Sequence, residues 1–218
     1  MSSNIKLNNV VIFGDSYSTY LGHIPDGYAV YYSGKRTSPP DVSDVSKTWW
    51  HQVIAENGAT LVQNNSWSGS TICYTGYGYT DRSKSSSFIY RFNKMVEEGF
   101  FKKNRVDSVL IFGGTNDSWC QAPTGQLQYS DWSHDSLFFV LPAICYFFNR
   151  VKEELPDAEI ICIINTNLKA VIIDGMKKAC KHYGIKYVVL KDIDKENGHP
   201  TERGMAEIKS QVIEVLDK

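Results

Sequence analysis

The segment NVVIFGDS, residues 9–16, is the strongest indication of how this chain folds. Its first part, Asn9–Phe13, is short, almost entirely apolar and rich in Val and Ile. That composition is typical of a strand buried on both faces of a sheet. Gly14, Asp15 and Ser16 follow without a break. The segment therefore predicts a buried strand that leads into a sharp polar turn.

Four further segments along the chain share this strand-like composition. They are Thr60–Gln63, Ser108–Phe112, Glu159–Ile164 and Lys186–Leu190. Helical patterns separate them, at about residues 47–57, 87–98, 136–155 and 168–183, and a last one runs from Thr201 to the end of the chain. Because strands and helices alternate, we predict a mostly parallel sheet with helices on both faces, formed by a single domain over residues 1–218.

Composition and charge argue against several classes of partner. Hydrophobic residues make up 42% of the 218 residues and charged residues 22%, which is ordinary for a globular protein. A net charge of −1 provides no field that would attract a nucleic-acid backbone or an anionic membrane. The first ten residues, MSSNIKLNNV, lack the apolar core of a signal peptide, and no apolar run has the length of a membrane span. We therefore expect a cytoplasmic protein without a nucleic-acid or membrane partner.

The cysteines indicate neither a zinc site nor a disulfide framework. They are odd in number, widely spaced and form no CxxC pattern, so reduced and mostly buried thiols are expected. The five are Cys73, Cys120, Cys145, Cys162 and Cys180.

Three predicted loops are unusually long for such a fold and rich in Tyr, Trp, Gly, Ser and Asp. They run over residues 17–46, 69–86 and 113–135. Each follows a predicted strand, so all three should emerge at the carboxyl edge of the sheet, where open α/β sheets bind ligands. We expect the functional site at this edge.

Ser16 belongs to the first of four polar motifs in these regions. In Gly14-Asp15-Ser16, the serine lies at a turn from a strand to a predicted helix. Its hydroxyl would then lie at the sheet edge, near a helix N-terminus that favours developing negative charge. Alternatively, Ser16 only caps that helix, as serine commonly does.

Two glycine-containing motifs follow the second and third strands. The first, NNSWSGST (residues 64–71), contains Gly69, whose backbone N–H can approach a substrate oxygen without side-chain obstruction. The second, GGTND (residues 113–117), contains Asn116, whose amide can donate a hydrogen bond into the same space. Each motif alone is equally compatible with an ordinary polar turn.

The fourth motif, Asn197-Gly198-His199-Pro200, comes just before the last helix. Pro200 suits a first helical turn, which would place His199 at the helix entrance and free to point towards the sheet edge. An isolated histidine in a loop is usually inert, so this motif gains its weight from the other three.

Taken together, the four motifs resemble those of the SGNH (GDSL-type) hydrolase family over essentially the whole chain. The family's invariant Ser, Gly, Asn and His match Ser16, Gly69, Asn116 and His199. The resemblance implies a three-layer α/β/α sandwich with a five-stranded parallel sheet of flavodoxin-like order. It also implies a serine esterase that needs no cofactor and no metal.

The implied mechanism assigns a role to each of these residues. His199 would take the proton of the Ser16 hydroxyl, and an oxyanion hole would form from the Ser16 N–H, the Gly69 N–H and the Asn116 amide. The family also has an Asp three residues before the histidine, where this chain has Glu196. We favour Glu196 as the group that orients His199, with Asp194 and a backbone carbonyl as alternatives. Tyr17 replaces a usually apolar residue after the serine and is expected to change the floor of the pocket.

The loop composition suggests a substrate class. Aromatic faces with polar rims suit sugar rings, whereas no loop has the continuous apolar surface that a long acyl chain needs. We therefore expect hydrolysis of short-chain acyl esters, especially acetyl esters, on small molecules or glycans. The alternatives are a thioesterase or lysophospholipase with the same site, and a catalytically silent carbohydrate-binding protein. The aromatic residues concerned are Tyr17, Tyr20, Tyr28, Tyr31, Tyr32, Trp49, Trp50, Trp67, Tyr74, Tyr77, Tyr79, Trp119 and Trp132.

Overall fold

The computed structural model of the protein describes residues 5–217. A sheet of five parallel strands lies at its centre, in the order β2-β1-β3-β4-β5. The strands are β1 (Asn9–Gly14), β2 (Thr60–Ser66), β3 (Ser108–Gly113), β4 (Glu159–Ile164) and β5 (Lys186–Val189). All five begin where the sequence predicts them, although β2 continues to Ser66 and so includes the first residues of the predicted polar turn. The three-layer, flavodoxin-like α/β/α architecture is confirmed.

The helices cover both faces of this sheet. They are α1 (Trp49–Asn57), α2 (Phe88–Glu97), α3 (Phe100–Lys103), α4 (Thr115–Trp119), α5 (Val140–Glu154), α6 (Ala170–Tyr183) and α7 (Glu202–Leu216). Successive residues of β1 point to opposite faces. Val11 and Phe13 pack into a core with α2, α5 and α6, while Val10 and Ile12 pack into a second core with α1 and α7.

Local chemistry sets the helix boundaries slightly inside the predicted ones. Thr48 caps α1 by accepting a hydrogen bond from the backbone N–H of His51. Helix α5 begins at Val140 rather than 136, because Pro142 is tolerated only in a first turn and residues 135–138 form a separate 3-10 turn.

The helix that the sequence predicts directly after Ser16 does not form, so this prediction was wrong. Ser16–Ser18 forms a single 3-10 turn, and Asp15 caps this turn by accepting a hydrogen bond from the Tyr17 N–H. One turn of three residues aligns too few peptide dipoles to act as a helix N-terminus, so the local backbone N–H groups matter more than a macrodipole. Asn116, expected in a turn, lies in the short helix α4.

The histidine segment also differs from the expectation. Lys195–Glu196 (β6) and His199–Pro200 (β7) form a small antiparallel hairpin, so Pro200 is not in a first helical turn. Thr201 caps α7 instead. The connecting residues Asn197 and Gly198 have φ values of 49° and 79°, as a two-residue hairpin turn requires. The Asn-Gly pair was the sequence signal for this hairpin.

The strand order brings the site motifs to one place. Because β1 lies between β2 and β3, the ends of these three strands present Ser16, Gly69 and Asn116 at the same carboxyl edge, next to the switch point between β1 and β3. All five cysteines are buried and unpaired. Between residues 5 and 217, no helix has the length and apolar character needed to cross a membrane.

Candidate active site

Ser16 and His199 form a hydrogen-bonded pair across 183 positions of sequence. The Ser16 Oγ lies 3.0 Å from the His199 Nε2, although one residue follows β1 and the other belongs to the hairpin before α7. Ser16 is only 3% exposed, and its tight 3-10 turn fixes its backbone. This distance is within the reach that proton transfer from a hydroxyl to an imidazole requires.

The other ring nitrogen of His199 faces a backbone carbonyl. Its Nδ1 lies 3.2 Å from the carbonyl oxygen of Asn197, so this oxygen accepts the hydrogen when Nδ1 is protonated. The Glu196 side chain is exposed and makes no hydrogen bond to the ring among the described residues. Asp194 accepts a hydrogen bond from the Thr201 hydroxyl. The structure therefore places the third alternative, the carbonyl, at Nδ1, because the Asn197-Gly198 turn folds this backbone against the ring.

Aromatic groups surround the His199 ring. Tyr31 stacks on it with ring centroids 3.7 Å apart and an interplanar angle of 6°. The guanidinium carbon of Arg36 lies 4.0 Å from the centroid of the same Tyr31 ring. Two groups this close to one centroid cannot share a face, so Tyr31 is held between Arg36 and His199.

This environment disfavours the charged form of His199. Burial lowers the pKa of the imidazole below its usual value, and the nearby Arg36 and Lys195 lower it further, against a smaller opposing effect of the Asn197 carbonyl. Burial also lowers the pKa of Lys195 to about 8. His199 thus remains a neutral base into mildly acidic conditions.

Hydrogen-bond donors lie on the segments that follow β2 and β3, at the same sheet edge as the serine. Gly69 has a φ of 80° and is exposed, and its N–H donates to no other group in the described part of the chain. The Asn116 Nδ2 donates to the Ser70 carbonyl at 2.9 Å and keeps a second N–H. The Tyr77 hydroxyl donates to the Asn116 Oδ1 at 2.8 Å, which fixes the amide with its nitrogen away from Tyr77.

Two buried charged side chains, which the sequence analysis missed, hold this edge in place. The Asp117 carboxylate accepts hydrogen bonds from the backbone N–H groups of Ile72 and Cys73, at 2.9 and 3.0 Å. The Arg91 guanidinium donates to groups at the ends of β1 and β2. Arg91 lies on the apolar stripe of α2, between Phe88 and Met95, and an arginine in that position was the available signal.

Buried aromatic rings pack next to the Ser16 turn, and partly exposed aromatic rings lie at the surface around the site. Tyr17 and Trp49 are fully buried, and the ring of each packs edge-on against Phe112, with centroids 5.6 Å apart. At the rim, Trp119 is 40% and Tyr77 42% exposed. The Trp119 ring lies 5.7 Å from the His199 ring. Within residues 5–217, no group of three His, Cys, Asp or Glu side chains could hold a metal ion.

Comparison with known proteins agrees with this geometry. The family model for GDSL-like lipases/acylhydrolases matches residues 8–216. The chain belongs to this family. It is therefore an ester hydrolase, and its four motifs occupy one site on the fold that the family shares. A comparison with curated proteins found no match.

Solved structures support the same assignment. A protein from Bacteroides ovatus assigned as a GDSL-like lipase is 38% identical, over 94% of this chain and 96% of its own, with a TM-score of 0.87. A second protein assigned as a GDSL-like lipase, from Bacteroides uniformis, is 42% identical, over 95% of this chain and 94% of its own, with a TM-score of 0.86. An acetyl xylan esterase from Butyrivibrio proteoclasticus shares the fold. It is 15% identical, over 98% of this chain and 64% of its own, with a TM-score of 0.59.

The pKa of His199 predicts the acidic side of the pH profile. The base must be neutral, so activity is lost as pH falls through the pKa of His199, and the lowered pKa places that loss below pH 6.5. In Arg36→Met, removal of the cation should move this loss of activity to higher pH, while Arg36→Lys should stay near the parent. The measurement is kcat/KM for p-nitrophenyl acetate from pH 4.5 to 8. A parent midpoint above 6.5, or a shift to lower pH in Arg36→Met, contradicts this account.

The contact between Tyr77 and Asn116 predicts a separate effect. In Tyr77→Phe the amide loses the hydrogen bond that orients it, and we expect kcat to fall about 5- to 10-fold with little change in KM, a loss of about 1 kcal/mol. Asn116→Ala, which removes the donor, should cost about 100- to 1,000-fold. Steady-state kinetics on p-nitrophenyl acetate give both values. Equal kcat in Tyr77→Phe and the parent would show that the phenol does not orient the amide.

Proposed function

We propose that this protein hydrolyses short-chain acyl esters, acetyl esters above all, on carbohydrate, through an acyl-enzyme at Ser16. The observation that carries the proposal is the 3.0 Å contact between the Ser16 Oγ and the His199 Nε2, at the sheet edge that also carries Gly69 and Asn116. Nucleophile, base and oxyanion donors together are what acyl transfer requires.

In the acylation step, the Ser16 Oγ attacks the ester carbonyl while the His199 Nε2 takes its proton. The carbonyl oxygen becomes an oxyanion, which accepts hydrogen bonds from the backbone N–H groups of Ser16 and Gly69 and from the free Nδ2 hydrogen of Asn116. As the tetrahedral intermediate collapses, the bond to the alcohol breaks, and His199 returns the proton to the leaving oxygen.

In the deacylation step, water replaces the alcohol. His199 removes a proton from this water as its oxygen attacks the acyl carbon, and the same donors hold the second oxyanion. Collapse releases the carboxylic acid and returns the proton to the Ser16 Oγ. During both steps the Asn197 carbonyl accepts the hydrogen at Nδ1, which keeps Nε2 directed at the serine.

The filled floor of the site supports a short acyl group. A long chain needs a continuous apolar groove, whereas the space under Ser16 is occupied by the packed rings of Tyr17, Phe112 and Trp49. On the oxyanion side, the Tyr77 phenol lies against Asn116 and narrows the space further.

The exposed aromatic rim supports a sugar as the alcohol part. Trp119 is 40% exposed, and its ring lies 5.7 Å from the His199 ring, at an interplanar angle of 72°. Half-exposed aromatic faces with polar edges suit the stacking of a pyranose ring, and the polar atoms nearby suit its hydroxyls. The fold that serves the acetyl xylan esterase from Butyrivibrio proteoclasticus is compatible with such a substrate.

A panel of esters tests this proposal. We expect kcat/KM to be highest for p-nitrophenyl acetate, lower for the butyrate and at least about tenfold lower for the octanoate. Ser16→Ala should lower each rate by about 1,000-fold or more. Acetate release from acetylated xylo-oligosaccharides, measured beside release from ethyl acetate, tests the sugar part.

The alternatives give different results in the same panel. A preference for octanoate, or for lysophospholipid, contradicts a short-chain esterase and indicates a lipid substrate. Acetylated oligosaccharide that is cleaved no better than ethyl acetate contradicts a sugar subsite. Oligosaccharide that binds equally to the parent and to Ser16→Ala, with no ester cleaved by either, identifies a silent carbohydrate-binding protein.

A further inference from the structure

The backbone on both sides of His199 is held by two buried tyrosines from another part of the chain. The Tyr17 hydroxyl donates a hydrogen bond to the carbonyl oxygen of Gly198. The Tyr32 hydroxyl donates to the carbonyl oxygen of Pro200 at 2.8 Å. Both tyrosine side chains are fully buried, so neither hydroxyl can exchange its carbonyl partner for water without exposing a core residue.

The plane of the His199 ring is set by a third tyrosine. Tyr31 lies almost parallel to the imidazole, at an angle of 6°, and its own position is fixed from three sides. Its N–H donates to the Thr19 Oγ1 at 2.9 Å, and its carbonyl accepts from the Arg36 Nη1 at 3.3 Å. The Arg36 guanidinium covers the face of the ring that His199 leaves free.

We propose that Tyr17, Tyr31 and Tyr32, together a tyrosine cradle, position His199 for catalysis in place of the carboxylate of a triad. The proposal rests on the proposed function of Ser16 and His199. A triad carboxylate fixes both the tautomer and the direction of the ring. Here the Asn197 carbonyl fixes the tautomer of His199. The cradle fixes the direction of the ring, because it constrains the backbone before and after His199 and the plane of the imidazole.

The cradle contacts the histidine segment through two hydroxyl groups and one aromatic ring. At Tyr17 and Tyr32 the hydroxyl makes the contact with the histidine segment, so Phe at either position removes it. At Tyr31 the ring makes the contact, and its hydroxyl has no hydrogen-bond partner among residues 5–217. Loss of the hydroxyl should therefore lower kcat at Tyr17 and Tyr32 but have little effect on kcat at Tyr31. General destabilisation of the fold would not produce this difference.

Steady-state kinetics on p-nitrophenyl acetate test this pattern. We expect Tyr17→Phe and Tyr32→Phe each to lower kcat about tenfold, with KM within about twofold of the parent. Tyr31→Leu, which keeps an apolar side chain of smaller volume but loses the flat face, should lower kcat about 10- to 100-fold, and Tyr31→Phe should retain most of the parental kcat. Thermal unfolding of each variant identifies any that do not fold.

Three outcomes would overturn the proposal. The first is a Tyr31→Phe variant as impaired as Tyr31→Leu; the second is Tyr17→Phe and Tyr32→Phe variants with parental kcat. The third is a Glu196→Gln variant that loses activity as severely as a triad that loses its carboxylate, about 10,000-fold. That result would return the orienting role to Glu196.

A measurement independent of turnover separates this proposal from the proposed function. In ¹⁵N spectra of the histidine rings, a ring whose direction is held by the cradle keeps its Nδ1–H against the Asn197 carbonyl. One Nδ1–H tautomer of His199, with an Hδ1 that exchanges slowly, is therefore expected in the parent and in Tyr31→Phe. In Tyr31→Leu this signal should exchange faster or average between tautomers. An identical signal in Tyr31→Leu and the parent contradicts the cradle, whether or not the parent cleaves esters. An inactive parent with the predicted signals contradicts only the proposed esterase activity.

Discussion

The guanidinium group of Arg91 lies in the core, with the residue only 1% exposed, directly beneath the loops that carry the site. It makes five hydrogen bonds, to the carbonyls of Gly14, Asn65 and Ser86 and to the side chains of Asn65 and Ser70. These partners belong to the ends of β1 and β2 and to the segments that follow β2 and precede α2. A guanidinium has five N–H donors in a rigid plane, so all of them are used and the partners are fixed relative to one another.

The rest of the site depends on this arrangement. Gly14 precedes the Ser16 turn, and Ser70 follows Gly69, the proposed oxyanion donor, so Arg91 sets the separation of these two segments. A lysine could not replace it, because three donors on a flexible stem cannot reach both strand ends. The cost is a buried charge, which is tolerated only because every donor is paired.

Two buried carboxyl groups complete the frame. Burial raises the pKa of Asp15 to about 7, while its hydrogen bond from the Tyr17 N–H and the nearby Arg91 oppose that rise. Burial also raises the pKa of Asp117, which is bound to the N–H groups of Ile72 and Cys73. Asp15 holds the Ser16 turn, and Asp117 holds the loop that follows Gly69. These buried ionisable groups thus form a scaffold for the two segments.

Much of this architecture could be predicted from local sequence. The strands were found because Val- and Ile-rich runs such as Asn9–Phe13 have only one stable place in an α/β protein. The four motifs could be placed at one edge because each follows a strand or precedes the last helix. The orienting partner of His199 could not be predicted in this way, since it depends on how a two-residue turn folds a carbonyl back. Sequence reasoning favoured Glu196 by analogy with the family. It also missed the hydrogen bonds of Tyr17 and Tyr32, because each joins positions more than 150 residues apart and leaves no periodic pattern in the sequence.

The proposed activation of the Ser16 hydroxyl by His199 can be tested by covalent labelling, without any knowledge of the natural ester. The parent protein and His199→Ala would each be treated with a fluorophosphonate, followed by intact mass and peptide analysis. The account predicts one adduct per chain, located on Ser16, in the parent and at most a trace in His199→Ala. A folded parent that remains unlabelled, or an adduct on another residue, would contradict it.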